Sequence, residues 1–413
     1  MSASTSTTES PSTPLGRGLA GQTFLVGEHV YVRPVEPFDA KHGASWGATL
    51  FPRSTEWYET WVKEEMIKEN RRGTYVIVRK ADDVPVGGVS TWRWEPVTVV
   101  SPWIDPLHGE RGQQWLAEAM RLMVPWLGVE QHRPNLRISL AGDQPIVAAA
   151  LQEAGARLVT RYREQLQGWG GRTDGLIFEY LNPQWVEKLG DPAEIELERS
   201  GLGEPRPVSA PVMPTGDPPA NAVRVGQRVY LRPLEKADIA LVALWSRRDT
   251  ETFWDAGRWM YSAPNYQAGE KGNQKKDPQT HVRFAVCLRE SDEVIGTLGV
   301  DGINYLHGFG ETESAIFRPE YRGGGYGSEA KHLLFDYAFN TLNLHSLQSV
   351  VIFPNTRSAA ALRKQGYREA GRMHWAFSSF GTFENFVCFD LLASDWRRMP
   401  RATFNGLDEE HGR

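Results

Sequence analysis

Gly323, Gly324, Gly325 and Gly327 follow Arg322 within the run Arg318 to Ala330, and this is where the chain is best equipped for chemistry. Before them, Glu313 to Phe317 reads as a short strand. After them, Ala330, Leu333, Leu334, Tyr337 and Ala338 recur at helical spacing. The glycines therefore sit between a strand's end and a helix's start. Free backbone N–H groups and the positive end of the helix dipole attract phosphate at such a junction. Glycine carries no side chain to hold a diphosphate away from those amides. The bland alternative for a Gly-Gly-Gly run is a surface turn. A P-loop is excluded, because it ends in Gly-Lys-Ser/Thr and the first lysine here is Lys331. A Rossmann fingerprint needs different spacing and an acidic residue about 20 positions on, which is missing.

Arg322-Gly323-Gly324-Gly325-Tyr326-Gly327 fits the pattern Arg/Gln-x-x-Gly-x-Gly. It resembles the acyl-CoA diphosphate signature of the GNAT acetyltransferase superfamily. The longer run from Pro319 to Ala330 is similar to its RimJ/RimL branch. The resemblance implies acetyl-CoA as co-substrate, held by Arg322, Gly323, Gly324, Gly325, Tyr326, Gly327 and Ser328. It also implies pantetheine contacts from Asn355 and Ser358, in the segment Pro354-Asn355-Thr356-Arg357-Ser358 after the strand Leu347 to Phe353. A helix cap is the simpler reading of Asn355, and the two roles are compatible.

Acyl transfer from a thioester to an amine needs a neutral amine, donors for the oxyanion, and a proton for the leaving thiolate. In a GNAT fold the oxyanion donor is a backbone N–H of the central strand, which points to Ile316 or Phe317. Period-two geometry puts Glu311, Glu313, Ala315 and Phe317 on one strand face, with Asp301 on the strand before. Glu313 is the candidate base, directly or through water; an exposed charge at a strand edge is the rival reading. Many relatives place a tyrosine acid in the helix after the Asn loop, where this chain has Leu362. Tyr326 and Ser358 are substitutes by proximity in the pattern alone. The resemblance puts the acceptor against Phe253 to Tyr261 and the hairpin from Trp375 to Asn385, where Trp254, Asp255 and Glu384 suit a cationic amine. They suit ordinary packing equally.

The elements that position these residues occur twice. Val30-Tyr31-Val32-Arg33-Pro34 returns as Val229-Tyr230-Leu231-Arg232-Pro233, 199 residues on. Gly155 and Trp185 return as Gly366 and Trp396, 211 residues on. Such a repeat predicts a tandem duplication of one α/β (α+β) unit. The expected organisation is a disordered tail over 1–21, a GNAT-like domain over 22–189, a Pro-rich linker over 190–222, a catalytic domain over 223–400, and a polar tail over 401–413. Each domain is expected to be a mixed twisted sheet flanked by helices, with the ligand where central strands splay apart.

In the first copy the loop reads Asp105-Pro106-Leu107-His108-Gly109-Glu110-Arg111-Gly112-Gln113-Gln114-Trp115. It holds fewer glycines, is two residues longer, and sets Glu110 and Trp115 near the expected phosphates. An anionic, bulky loop repels an anionic ligand. The first copy is therefore expected to be degenerate, against two alternatives: a second active site, or one wall of the acceptor pocket. Ten of the fifteen tryptophans lie in it, read as core or as an interface.

A net charge of −5 argues against a general nucleic-acid or membrane-surface binder. Cys287 and Cys388, both in apolar runs, read as reduced buried thiols, and no metal site is expected. No apolar run approaches a membrane span and no signal pattern opens the chain, so a cytoplasmic location is expected. The function expected is acetyl transfer to a primary amine, either a protein N-terminal α-amine or a small molecule. The alternative is a catalytically silent CoA sensor or scaffold.

Overall fold

A computed structural model describes residues 22–402 apart from 48–51, 67–71, 169, 193–204, 215, 249–261, 276, 354 and 380. The chain opens with β1 (Val30–Pro34), short helices α1 (Gly43–Trp46) and α2 (Thr55–Thr60), then β2 (Arg72–Arg79), β3 (Val84–Trp94) and β4 (Val97–Ile104). Next come α3 (Gly109–Pro125), β5 (Asn135–Ala141), α4 (Pro145–Glu153), β6 (Arg157–Gly168), β7 (Gly171–Leu181) and α5 (Pro183–Leu189). A similar order follows: β8 (Arg224–Val225), β9 (Val229–Pro233), α6 (Lys236–Ser246), α7 (Ala263–Gln274), β10 (Val282–Leu288), β11 (Val294–Asn304) and β12 (Phe309–Ile316). It ends with α8 (Tyr326–Asn340), β13 (Ser346–Ile352), α9 (Thr356–Lys364), β14 (Arg368–Ser379), β15 (Thr382–Leu392) and α10 (Ala393–Arg398). The fold is mixed α/β.

Contacts divide the chain into two units, one of residues 1–93, 99–132 and 144–156, the other of 94–98, 133–143 and 157–413. In the first unit, β1, β2 and β3 form an antiparallel meander, with Val30 opposite Arg79 and Arg72 opposite Trp92. Alternate residues of β1 and β2 (Tyr31, Val76, Val78) pack on Trp46, Tyr58 and Val62 from the short helices. The Trp46 indole N–H donates to the Asp39 carbonyl at 2.9 Å, which satisfies its polar edge in the core.

The second unit holds an eleven-stranded sheet in the order β5-β7-β6-β14-β15-β13-β12-β11-β10-β9-β8. Val229, Leu231, Phe284, Val286, Leu298 and Val300 line one of its faces against Ala330, Leu333, Leu334 and Phe335 of α8. Burying each large apolar side chain there stabilises the fold by roughly 1.5–3 kcal/mol. One pair of strands in this sheet is parallel. β12 and β13 match over Phe309–Ser346, Gly310–Leu347 and Glu311–Gln348, and the register stops there. Beyond it, Thr312 Oγ1 donates to the Gln348 carbonyl and Ser349 Oγ to the Thr312 carbonyl, both at 3.2 Å. Side chains replace the ladder as the strands part.

Val208, expected in a linker, is fully buried in this unit's core, and its N–H donates to the Pro400 carbonyl at 2.8 Å. The tails 1–21 and 403–413 and residues 193–204 lie outside the described residues. Cys287 and Cys388 are buried and unbridged, and burial pushes the Cys388 thiol up to about 11. Among the described residues, no helix is long and apolar enough to cross a membrane, and no side-chain group suits a metal ion.

Candidate active site

The glycine run occupies the junction expected of it. β12 ends at Ile316, a single 3-10 turn covers Pro319–Tyr321, and α8 begins at Tyr326. Gly323 and Gly325 have φ of +83° and +86°, the left-handed region where a side chain is strained. The first bond of α8 runs from the Glu329 N–H to the Gly325 carbonyl at 3.0 Å. The N–H groups of Tyr326, Gly327 and Ser328 thus have no acceptor inside the helix. A Cβ at Gly323 would meet open space. This is a cradle of backbone donors with nothing in front of it, and it fits a diphosphate.

Two arginines brace the cradle from behind. Arg322 Nε donates to the Ile316 carbonyl at 2.8 Å, so it ties the loop to the strand rather than facing a ligand through that nitrogen. Arg228 Nη1 donates to the Gly324 carbonyl at 2.9 Å, and its guanidinium lies 4.5 Å from the centre of the Tyr326 ring. Arg228 is held in turn by Glu329, which is 3% exposed and accepts from the Arg228 amide (2.8 Å) and from Arg228 Nε (3.0 Å). The Arg228 and Glu329 roles were absent from the sequence reading.

The ladder decides between the two oxyanion donors. The Phe317 N–H donates to the Ile295 carbonyl at 3.0 Å, so it is spent inside the sheet, and Phe317 is corrected as a donor. Antiparallel strands alternate between bonded and non-bonded pairs. Ile316, opposite Gly296, therefore turns its N–H away from β11 and toward the gap left by β13. The Phe317 ring stacks on Trp245 of α6 at 5.3 Å. Asn355 caps α9, its Oδ1 accepting from the Ser358 N–H at 3.1 Å; the amide nitrogen of Asn355 is left to face a ligand. Leu362 packs in the apolar core. Tyr367 is buried, its hydroxyl 2.7 Å from Thr312 Oγ1, and burial raises it far above an ordinary phenol.

A charged row crosses β10, β11 and β12 beside the cradle. Arg283 lies opposite Gly299, and Gly299 opposite Glu313. Because Gly299 has no side chain, Arg283 reaches over it and donates to Glu313 Oε1 from Nε (2.7 Å) and Nη2 (2.6 Å). Glu313 is thus an ion-paired carboxylate with one oxygen committed. One step along, His281 Nδ1 lies 3.0 Å from Asp301 Oδ1, and Asp301 pairs across the ladder with Glu311. The hydrogen bond from His281 holds the Asp301 carboxyl below its ordinary range. Solvent reaches Glu311, yet the protein crowding around it raises its carboxyl to about 7, with repulsion from Asp301 and Glu313 adding to the shift. Lys331 of α8 is 1% exposed, and burial lowers its ammonium to about 7 against the attraction of Glu313 and Glu311. Glu384 sits on the β14–β15 hairpin and accepts from Thr382 Oγ1 at 3.2 Å; the hairpin turn and Glu384 are not joined to the row by any bond among the described residues. Trp254 and Asp255 lie outside the described residues.

In the first unit the equivalent stretch is built differently. A 3-10 turn at Pro106–His108 runs straight into α3, which begins at Gly109. Residues 109–114 are wound into helix where the second unit has an open loop. Glu110 is exposed on that first turn, while Trp115 is buried between Arg79 and Arg111, whose guanidinium groups lie 5.3 and 5.6 Å from its ring. The bulk of Trp115 thus fills the core rather than a phosphate site, which corrects that expectation.

The Acetyltransferase (GNAT) domain family matches residues 228–368, from the arginine behind the cradle to the start of β14. Spermidine N(1)-acetyltransferase of Escherichia coli (strain K12) is 30% identical over 164 residues, spanning 38% of this chain and 83% of that protein. An uncharacterized N-acetyltransferase, p20, of Bacillus licheniformis is 32% identical over 114 residues; the match spans 28% of this chain and 64% of that protein. Among solved structures, spermidine N-acetyltransferase from Vibrio cholerae in complex with CoA and spermine is 23% identical, covering 41% of this chain and 98% of that one, with a TM-score of 0.38. The chain belongs to the GNAT acetyltransferases.

Proposed function

We propose that this protein transfers an acetyl group from acetyl-CoA to a primary amine, and that the second copy carries the site. The observation that carries the reading is the open backbone cradle at Gly323–Ser328, set beside the point where β12 and β13 part. Acetyl-CoA would bring the activated thioester. The loop amides would hold its diphosphate, Asn355 would meet the pantetheine arm, and the Ile316 N–H would face the carbonyl oxygen. Asp301, Glu311 and Glu313 give the acceptor side a negative field, which favours a cationic small amine over a protein N-terminus. A polyamine is the acceptor class we favour, in keeping with what the named relatives act on.

We read the chain as a tandem duplication. Contacts repeat at fixed offsets: Arg33–Asp39 and Arg232–Asp238 are both 2.6 Å ion pairs, 199 residues apart. Glu118 accepts from the His29 amide as Glu329 accepts from the Arg228 amide. The first copy has lost the loop by winding it into α3.

Thiol release from acetyl-CoA across an amine panel tests the proposal. Turnover with a di- or polyamine is the expected result. A silent CoA sensor is the second reading, favoured by Leu362 standing in the core where many relatives carry a tyrosine acid. Calorimetric binding of CoA with no turnover on any amine would favour it.

A further inference from the structure

We propose that His281 accepts the proton the acceptor amine must lose, with Asp301 fixing its tautomer; this rests on the acetyl-transfer reading above. His281 immediately precedes β10, and its side chain is 6% exposed. Asp301 lies beside it on β11, and Glu311 lies opposite Asp301 on β12, so the three form one row across three strands. The 3.0 Å contact between Nδ1 and the Asp301 carboxylate puts the imidazole proton on Nδ1. Nε2 then carries a lone pair. That atom is buried, has no hydrogen-bond partner among the described residues, and lies 4.0 Å from Glu313 Oε1.

A lone pair facing a carboxylate oxygen across 4.0 Å is a mismatch unless a donor stands between or beside them. A substrate ammonium supplies such donors, N–H groups to Nε2 and to Glu313 together. Arg283 on β10 keeps Glu313 in place, and Lys331 on α8 is the remaining charge acting on Glu311 and Glu313. Asp301 and Glu311 complete the charged groups facing the imidazole. In the reaction the ammonium proton passes to Nε2, and the freed nitrogen lone pair bonds the thioester carbonyl carbon. The C–S bond then breaks with its electron pair on sulfur. The second nitrogen proton ends on the thiolate, and His281 returns its own to water. His281 would touch the reacting nitrogen; Asp301 acts through it as a positioning residue.

The test uses the full chain, acetyl-CoA, and the fastest member of a panel holding spermidine, putrescine, an aminoglycoside and a peptide α-amine. His281→Ala should lower kcat about 100-fold, leave the CoA titration unchanged, and recover part of the rate with added imidazole. Asp301→Asn should lower kcat about tenfold and shift the acid limb of the pH–rate profile. Independently of any variant, long-range ¹H–¹⁵N spectra of the wild-type protein should find the His281 proton on Nδ1 and an Nε2 resonance that moves when the amine is added. A wild type that turns over while His281→Ala matches it at every pH overturns the inference alone. So does a rate loss without imidazole rescue, or a proton found on Nε2 with no response to amine. A wild type that releases no thiol with any amine overturns both this inference and the reading beneath it.

Discussion

At the scale of single residues, the site carries two ionisable groups on the wrong side of their ordinary ranges, and stability should report them. Glu311 is raised to about 7. Between the ordinary carboxylate value and that point the folded state binds more protons than the unfolded, so stability falls as pH rises through this window. Glu311→Gln should therefore raise the melting temperature at pH 8 and leave it nearly unchanged at pH 4. Lys331 is shifted down to about 7, so the unfolded chain binds more protons from there up to the ordinary lysine value, and stability rises with pH across that span. Lys331→Met should stabilise the protein at pH 7 and lose that advantage near pH 10; thermal melts at the two pH values check both. Glu313 is a different case. With one oxygen held by Arg283, it is suited to anchor an ammonium, so Glu313→Gln should raise KM for the amine about tenfold, one charge-assisted bond, and leave CoA binding intact. A fall in kcat with unchanged KM would return it to the role of base.

At the scale of elements, the glycine loop was legible because few residue types permit its backbone. Gly325→Glu puts a side chain at φ +86° and a negative charge in the cradle, and should abolish the heat of CoA binding. Gly109→Glu, at φ +54° on a helix that has absorbed its loop, should leave the CoA titration unchanged while costing about 1 kcal/mol of stability. Equal losses of CoA binding would overturn the one-site assignment. The charged row was less legible. Glu313 could be placed on a strand face from period-two spacing, but its partner Arg283 is two strands away, and only the register across Gly299 brings them together. Gly299→Val should break that ion pair and reproduce the Glu313→Gln phenotype. His281 gave no signal at all in the chain, since it stands outside any strand pattern and owes its role to Asp301. Phe317 was named as a donor because the strand's end was visible and the parity of its hydrogen bonds was not. Lys331 was hidden because α8 is buried nearly all round, so its lysine broke no amphipathic pattern.

At the scale of the molecule, the second unit contains strands from both sequence repeats, and they meet through equivalent positions. Thr160 of β6 pairs with Gly371 of β14, its counterpart 211 residues on. The same offset relates Arg163 to His374, and Glu179 to Asp390. Asp390 accepts from the Arg163 amide at 3.0 Å, and Glu179 accepts from the His374 amide at 3.0 Å. Each repeat thus takes hold of the other's bulged strand with a buried carboxylate, a reciprocity expected of a two-fold interface joined into one chain. Asp390 also binds Arg368 at 2.5 Å, so Asp390→Ala leaves two arginines facing an apolar hole and should cost roughly 3–5 kcal/mol, read by urea unfolding.

That reciprocal grip means the covalent connection between the repeats is not what keeps them together. A protease site engineered into 193–204 and then cut should yield two fragments that still elute as one species and still bind CoA. Such a seam also explains how one repeat could surrender its phosphate loop to a longer helix: strands β5, β6 and β7 remain under selection as scaffolding for a neighbour whose chemistry they no longer share.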